Sequence, residues 1–149
     1  MDYNREESLK LSNQLCFPLY AAARSVINLY TPYLKPLGLT YTQYIVFLVL
    51  WEKKSATVSE LCETLMLDNG TLTPLLKKLQ AAGYIDRRRS ENDDRVVVIS
   101  LTEEGLDLKA RAAEIPFGVG VCIGLEPEKA QMLYELLYEL LNKQNAKEV

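Results

Sequence analysis

The side chains best suited to covalent chemistry in this chain are three cysteines, and the sequence contains no histidine. Without histidine there is no Ser-His-Asp or Cys-His nucleophile, no histidine-ligated zinc and no imidazole base near neutral pH. Because three is an odd number, the thiols cannot form a closed set of disulfides within the chain. At positions 16, 62 and 122 they are also too few and too scattered for a zinc ribbon. We therefore expect neither a metal nor an organic cofactor.

Length and charge describe one modest domain with an acidic balance. The chain has 149 residues, and 17 Lys and Arg against 20 Asp and Glu give a formal charge of −3. A chain of this length buries roughly 70% of its unfolded surface on folding. The longest apolar run, Ile45 to Trp51, is too short to cross a bilayer, and the charged start lacks the apolar core of a signal peptide. We expect a cytoplasmic protein that does not contact a membrane.

The elements that position these residues are mostly helices. The segments Thr40–Gln43 and Thr57–Glu60 are capping boxes, and each predicts the start of a helix. After a break at residues 67–70, leucines at i, i+3, i+4 and i+7 predict a third helix that stops at Gly83. Pro74 is tolerated in it because few amides have partners near the first turn.

A hairpin follows the third helix. β-favouring runs at residues 84–89 and 95–101 enclose a polar segment, 90–94, which predicts two strands and a turn. Thr102 then caps another helix, and a last helix runs from about Pro127 to Asn142. Two helices, a tight turn and a hairpin form the order of a winged helix-turn-helix. The predicted fold class is therefore mainly α with a small β-hairpin wing.

The cations are concentrated in this part of the chain. Residues 69–95 hold six basic and four acidic residues, a charge of +2, and the remaining 11 basic and 16 acidic residues give −5. Because phosphate contacts supply most non-specific affinity, cations gathered on one surface can bind DNA. The alternative is a solvated helix face and arginines that blunt an edge strand. After a helix-turn-helix pattern DNA binding is favoured, with the helix in a major groove and the hairpin at the flanking minor groove or backbone. The DNA-binding candidates are Thr71, Thr73, Pro74, Lys77 and Lys78 on the helix and Arg87 and Arg89 on the hairpin.

Several segments together resemble the MarR family of winged-helix regulators, and within it the organic hydroperoxide resistance regulators. They are 14–20 (QLCFPLY), 39–44 (LTYTQY), 67–79 (LDNGTLTPLLKKL), 93–95 (DDR) and 102–105 (TEEG). The resemblance is strong over roughly residues 10–105, and the C-terminal third matches only by its helical character. In that family an Asp and an Arg pair at the base of the wing, and the Arg enters or borders the minor groove. The resemblance assigns these roles to Asp94 and Arg95.

The resemblance implies a homodimeric repressor that leaves its double-stranded operator DNA when an organic hydroperoxide oxidises it. The family dimerises through its first and last helices. The expected organisation is one domain over residues 1–149, with a DNA-binding lobe at about 38–105 and dimerisation helices at about 8–35 and 106–146.

The sensing thiol implied by the resemblance is Cys16, and the family's two tyrosines that hydrogen-bond it correspond to Tyr30 and Tyr41. A thiolate attacks a peroxide oxygen, so a sensor needs a lowered pKa and an accessible sulfur. Tyrosine hydroxyls stabilise a thiolate by donating to it, which a chain without histidine can use. Taken alone, Cys16 could also be a small packed hydrophobe. Pro18 is a complication, because inside a helix it removes a bond to Gln14 and can kink the chain.

The other two cysteines have different surroundings. Cys62 lies on the apolar stripe of the second predicted helix, which indicates a core residue. Cys122 lies in an apolar segment, 115–125, that three glycines interrupt. One subgroup of the resembled family has a second cysteine between its last two helices, which would make Cys122 a resolving thiol that bonds Cys16 across the dimer. The alternative is a packed loop, in which case a small-molecule thiol would have to cap Cys16.

Two other functions are weighed against redox sensing. A regulator of the same fold could respond to a phenolic or other small ligand instead of a peroxide. A thiol peroxidase would use a cysteine, but the sequence offers neither a catalytic arginine motif nor a thioredoxin-like βαβ order. We therefore expect a regulator and not an enzyme.

Overall fold

A computed structural model describes the backbone of residues 5–145 and the side chains of residues 6–143. The helices are α1 (Arg5–Ser8), α2 (Cys16–Leu34), α3 (Tyr41–Lys53), α4 (Val58–Leu65), α5 (Asn69–Ala81), α6 (Glu103–Ala112), α7 (Ile115–Ile123) and α8 (Pro127–Asn145). The strands are β1 (Ser55–Thr57), β2 (Ile85–Arg89) and β3 (Val97–Leu101), and 3-10 turns lie at Leu11–Asn13 and Lys35–Leu37. The chain divides into two compact units, of which the first ends at Ile115 and the second begins at Pro116. Over the described residues, no helix is both long and apolar enough to span a membrane.

Both predicted capping boxes are confirmed. The Thr40 hydroxyl accepts from the Gln43 N–H at 3.3 Å, and the Gln43 side chain accepts from the Thr40 N–H at 2.9 Å. At the start of α4 the corresponding distances between Thr57 and Glu60 are 3.1 and 2.7 Å. These reciprocal bonds satisfy amides that would otherwise have no partner at a helix start.

The helix α5 starts earlier than its sequence pattern predicts. Asp68 is its N-cap, so Gly70 belongs to the first turn and not to a break. Pro74 is consequently the sixth residue of α5, and the prediction that it lies near the unpartnered first turn is wrong. Its missing N–H removes one intrahelical bond, to the carbonyl of Gly70. The helix ends as predicted before Gly83, which has a φ of +80°.

The hairpin is confirmed, and a third strand joins it. β2 and β3 pair antiparallel, and β1 pairs antiparallel with the other edge of β3, which gives the order β1-β3-β2. The sequence did not predict β1, because three residues between two helices carry no detectable alternation. The addition makes β3 the central strand and attaches the wing to the α3–α4 connection.

The core of the first unit is apolar throughout, since no polar or charged residue in the described part is buried. Its largest fully buried side chains are Phe47, Leu34, Leu50, Leu61, Leu72, Leu76, Leu79, Ile85, Ile99 and Leu108. The leucine stripe of α5 is therefore turned inward, which leaves the opposite, polar face of that helix exposed.

The second unit differs from its prediction. The segment for which a packed loop was one alternative forms the helix α7 in spite of its proline and glycines. Pro116 lies in the first turn, where an amide has no helical partner, and Gly124, with a φ of +65°, comes directly after the last residue of the helix. Helix α8 begins at Pro127, as predicted, and extends to Asn145.

Candidate functional site

The thiol of Cys16 lies at the first residue of α2 and is exposed. A helix start places it at the positive end of the backbone dipole, where negative charge is favoured. Pro18 is the third residue of the helix, where an amide has no helical partner. The complication raised for Pro18, a lost bond to Gln14 and a kink, therefore does not arise, because the helix begins after Gln14.

The two predicted tyrosines form one cluster at the other end of α2. The ring centroids of Tyr30 and Tyr41 are 4.8 Å apart, and Tyr44 adds a third ring 5.7 Å from Tyr30. Burial raises the pKa of Tyr30 above its ordinary value. Burial, and secondarily the neighbouring Tyr30, raises the pKa of Tyr41 as well. Both hydroxyls therefore stay protonated at neutral pH and can donate hydrogen bonds.

The cysteine and the tyrosines of one chain do not form a common site. Tyr30 follows Cys16 by 14 residues on the same helix. With a rise of about 1.5 Å per residue, their backbones are about 21 Å apart along the helix axis. The structure thus brings Tyr30 and Tyr41 together but leaves the thiol of the same chain at the far end.

The remaining cysteines occupy two different settings. Cys62 is only half-buried on α4, next to the fully buried Leu61, so it lies at the margin of the predicted core. Cys122 is exposed on α7 in the second unit.

The second helix of the helix-turn-helix, α5, presents the predicted polar residues. Those that are exposed are Thr71, Pro74, Lys77 and Lys78, and Thr73 is half-exposed. This face is opposite the buried leucines, so the helix has the shape expected of a recognition helix.

Asp68 and Asn69, which were not among the predicted site residues, accept hydrogen bonds that organise the start of α5. The hydroxyl of Thr71 donates to Asp68 at 2.6 Å, and that of Thr73 donates to the side chain of Asn69 at 3.0 Å. The side-chain and backbone bonds from Thr71 lower the pKa of Asp68. An aspartate directly before a periodic apolar segment is a typical N-cap, and this signal could have identified Asp68.

The strand β2 distributes its arginines over two faces. Arg87 lies on the face of the buried Ile85, is half-buried, and its Nε has no hydrogen-bond partner in the described part of the chain. Arg88 is on the other face, where it lies 3.7 Å from the carboxylate of Asp86. Arg89 is exposed at the end of the strand. Arg87 is therefore less accessible to DNA than Arg89.

The ion pair of the wing involves Asp93 and not Asp94. The backbone N–H of Arg95 donates to Asp93 at 2.9 Å, and its Nε does so at 3.2 Å. These bonds lower the pKa of Asp93. Asp94 contributes its backbone carbonyl, which accepts from Arg89 at 2.7 Å. The predicted Asp94–Arg95 pair is wrong because an aspartate bonds most readily to the backbone two residues on.

The side chain of Arg95 remains 92% exposed in spite of this pair. The wing thus holds Arg89 through a backbone carbonyl and presents Arg95 to solvent. Together with the lysines of α5, these arginines form a discontinuous basic surface on the first unit.

A helix-turn-helix with a buried leucine face and an exposed polar recognition surface, followed by a wing that carries arginines, defines a DNA-binding transcription regulator. The family model for the SarA/Rot transcriptional regulators matches residues 28–112. The organic hydroperoxide resistance transcriptional regulator of Bacillus subtilis is 47% identical over 141 residues, which cover 93% of this chain and 94% of that protein. The chain belongs to the MarR/SarA family of winged helix-turn-helix regulators.

Solved structures agree with this assignment. The structure of reduced AbfR bound to DNA has a TM-score of 0.77 and 33% identity, and covers 95% of this chain and 99% of that one. The structure of disulfide-formed AbfR has a TM-score of 0.63 and 34% identity, and covers 92% and 96%. The predicted family and fold class are confirmed. Because the relatives that span the chain are transcription regulators, the prediction that it is not an enzyme is confirmed as well.

Proposed function

We propose that this chain is a cytoplasmic, homodimeric repressor that senses organic hydroperoxides through Cys16 and then releases its operator DNA. The observation that carries the proposal is the exposed thiol at the start of α2 together with the Tyr30–Tyr41 pair. The identity of 47% to an organic hydroperoxide regulator, over nearly the whole chain, supports the nature of the signal.

The distance within α2 indicates that the thiol site is completed by a second subunit. Because Cys16 and Tyr30 lie about 21 Å apart along one continuous helix, the tyrosines that donate to a given thiol belong to the partner. A two-fold axis that crosses the middle of α2 would pair each thiol with the tyrosine cluster of the other subunit. Each dimer would then contain two equivalent sites.

Exposed apolar side chains support dimerisation. Of the 19 residues of α2, only Leu34 is buried. Apolar side chains of the first unit that remain exposed include Leu11, Leu15, Phe17, Leu19, Tyr20 and Ile27. Those of α8 include Met132, Leu133, Tyr134, Leu136, Tyr138, Leu140 and Leu141. Exposure on this scale is unusual for a monomer and typical of a subunit interface. We accordingly propose a single domain over residues 1–149. Within it, we assign dimerisation to residues 8–35 and 106–146, approximately, and DNA binding to residues 38–105, approximately.

The redox step follows from the chemistry of the thiolate. The sulfur of Cys16 attacks the terminal oxygen of the hydroperoxide, the O–O bond breaks, and the alkoxide takes a proton and leaves as an alcohol. The resulting sulfenic acid condenses with a second thiol to a disulfide and releases water. We assign the second thiol to Cys122 of the other subunit. Its exposure on α7 is compatible with this role, and a related regulator has been solved in a disulfide form.

In the reduced dimer, α5 lies in the major groove and the wing reaches the flanking backbone or minor groove. Threonines and lysines of α5 contact base edges and phosphates, whereas the exposed Arg89 and Arg95 contact the DNA beside them. Two recognition helices must be about 34 Å apart to occupy successive turns of DNA. A disulfide that displaces the start of α2 changes this spacing and releases the operator.

The test measures release of operator DNA by fluorescence anisotropy during titration with an organic hydroperoxide. The operator is obtained by selection from random duplex DNA with the reduced protein. Cys16→Ser should bind DNA normally and fail to release it, whereas the matched control Cys62→Ser should release it at the wild-type dose. Release of the Cys16→Ser variant at that dose would overturn the proposal.

The resolving role of Cys122 is tested separately. After oxidation, wild-type protein should run as a crosslinked dimer on a non-reducing gel, and Cys122→Ser should run as a monomer. If the variant still forms the crosslinked dimer, Cys122 does not resolve Cys16. Mass spectrometry of Cys16 in this variant then shows whether a small-molecule thiol caps it.

A cavity favours one second candidate, a regulator that responds to a small phenolic ligand. The cavity has a volume of about 400 Å³ and lies between the end of α2 and the start of α3. It is lined by Ile27, Thr31, Leu34, Lys35, Gly38, Leu39, Thr40 and Tyr41. A ligand-responsive regulator would release DNA on addition of a phenol even after all thiols are alkylated, and it would ignore peroxide.

A further inference from the structure

We propose that Trp51 is a positioning residue for DNA binding, because it anchors the root of the wing to the helix-turn-helix. Trp51 lies near the end of α3, and its indole Nε1–H donates to the carbonyl of Gly105 at 2.9 Å. Its ring stacks on Phe47 with a centroid distance of 5.2 Å and an interplanar angle of 25°. The face of the indole therefore packs on the core residue Phe47, and its N–H is hydrogen-bonded to α6.

Gly105 is the point at which α6 touches the beginning of the wing. A Cβ atom placed on Gly105 would lie 2.1 Å from the backbone carbonyl oxygen of Tyr84, so only glycine permits this approach. The Tyr84 carbonyl accepts the backbone N–H of Thr102 at 3.2 Å. The Thr102 hydroxyl donates to the Gly83 carbonyl at 2.7 Å. Tyr84, which precedes β2, and Thr102, which follows β3, are thus hydrogen-bonded to each other. They lie next to Gly105, whose carbonyl accepts the bond from Trp51.

The recognition helix ends at the same place. The backbone N–H of Tyr84 donates to the carbonyl of Leu79, in the last turn of α5, at 3.1 Å. The ring of Tyr84 contacts that of Phe47 edge-on, with centroids 6.0 Å apart. Trp51 and Phe47 therefore connect α3 to both the end of α5 and the root of the wing.

The arginines of the wing are far enough from this root to amplify a small rotation. Arg89 follows Ile85 by four residues, which corresponds to about 13 Å along an extended strand. A rotation of about 10° at the root would move Arg89 by about 2 Å, enough to lose a hydrogen bond to a phosphate. An anchor that removes this rotation lets α5 and the wing contact one DNA duplex together.

The test uses reduced protein without peroxide, so its outcome is independent of the redox proposal. Trp51→Phe keeps an aromatic ring on Phe47 but removes the donor. Each phosphate contact contributes about 0.9 to the slope of log K against the logarithm of the salt concentration. Loss of one contact therefore lowers the affinity about eightfold at 0.1 M salt. The variant should bind the operator about eightfold more weakly and show a slope shallower by about 1. Amide exchange should rise over residues 85–101 and stay unchanged over residues 69–81.

Two controls separate positioning from general destabilisation. Val46→Ala removes a fully buried side chain from the same helix, and it should lower the melting temperature while leaving the salt slope unchanged. Arg95→Ala should cost less affinity in the Trp51→Phe background than in wild type, because the wing contact is already impaired. A wild-type slope in Trp51→Phe, an equal change of slope in Val46→Ala, or additive losses with Arg95→Ala would each overturn the proposal.

Discussion

Gly105→Ala should be among the most damaging single-methyl changes in this chain. Gly105 is the third residue of α6 and is buried. The added Cβ would lie 2.1 Å from the Tyr84 carbonyl oxygen and 3.1 Å from Cδ2 of Leu101. The closer neighbour is a backbone atom and cannot rotate away, so α6 and the wing root have to separate.

The expected cost follows from three contributions. Overpacking of a filled site costs about 1–3 kcal/mol. Separation also weakens the bonds of Gly105 to Trp51 and of Thr102 to Tyr84, each worth about 1 kcal/mol. Replacement of a helical glycine by alanine stabilises a helix by about 1 kcal/mol, which offsets part of this loss. The free energy of unfolding should therefore fall by about 3 kcal/mol, and the melting temperature by about 6–12 °C for a domain of this size.

The assay is urea unfolding followed by circular dichroism at one fixed protein concentration, since a dimer's stability depends on concentration. The matched control is Gly120→Ala in α7, where an added Cβ has no heavy atom within 4 Å. The control should be as stable as wild type or up to about 1 kcal/mol more stable. A Gly105→Ala variant that is as stable as the control would refute the close approach between α6 and Tyr84.

Three further predictions concern caps and charges. Thr57→Ala should lower the free energy of unfolding by about 1 kcal/mol in urea titrations, because a capping box is lost; an unchanged midpoint would contradict this. The ionised Asp68 carboxylate stabilises the fold above its ordinary pKa, since folding lowers that pKa. The stability advantage of wild type over Asp68→Asn should therefore be full at neutral pH and disappear as the pH falls through the lowered pKa; an advantage that persists in acid would show that charge is not its source. Arg89→Ala removes the side-chain donor to the Asp94 carbonyl and should weaken operator binding about eightfold at 0.1 M salt, whereas Lys129→Ala on α8 should have no effect in the same anisotropy assay.

Local elements were predictable because their signals lie within a few residues of one another. The capping boxes at Thr40 and Thr57 each depend on a partner three residues away. The hairpin of β2 and β3 likewise needs only two β-favouring runs and a polar turn. The strand β1 and the helix α7 escaped prediction, since a three-residue strand exists only through its pairing with β3, and an apolar segment with glycines has no distinctive period.

Residue types and their local spacing define the chemistry that is available: thiols and tyrosines without histidine, and a basic segment that overlaps a helix-turn-helix pattern. The packing of the elements determines which of these groups meet. It turned Arg87 toward the core face and joined Trp51 to Gly105 across 54 residues of sequence. The separation of Cys16 from Tyr30, by contrast, follows from the length of one continuous helix. Side-chain types and short-range spacings can be read directly from the order of residues, whereas distances between groups remote in sequence depend on how the helices and strands pack.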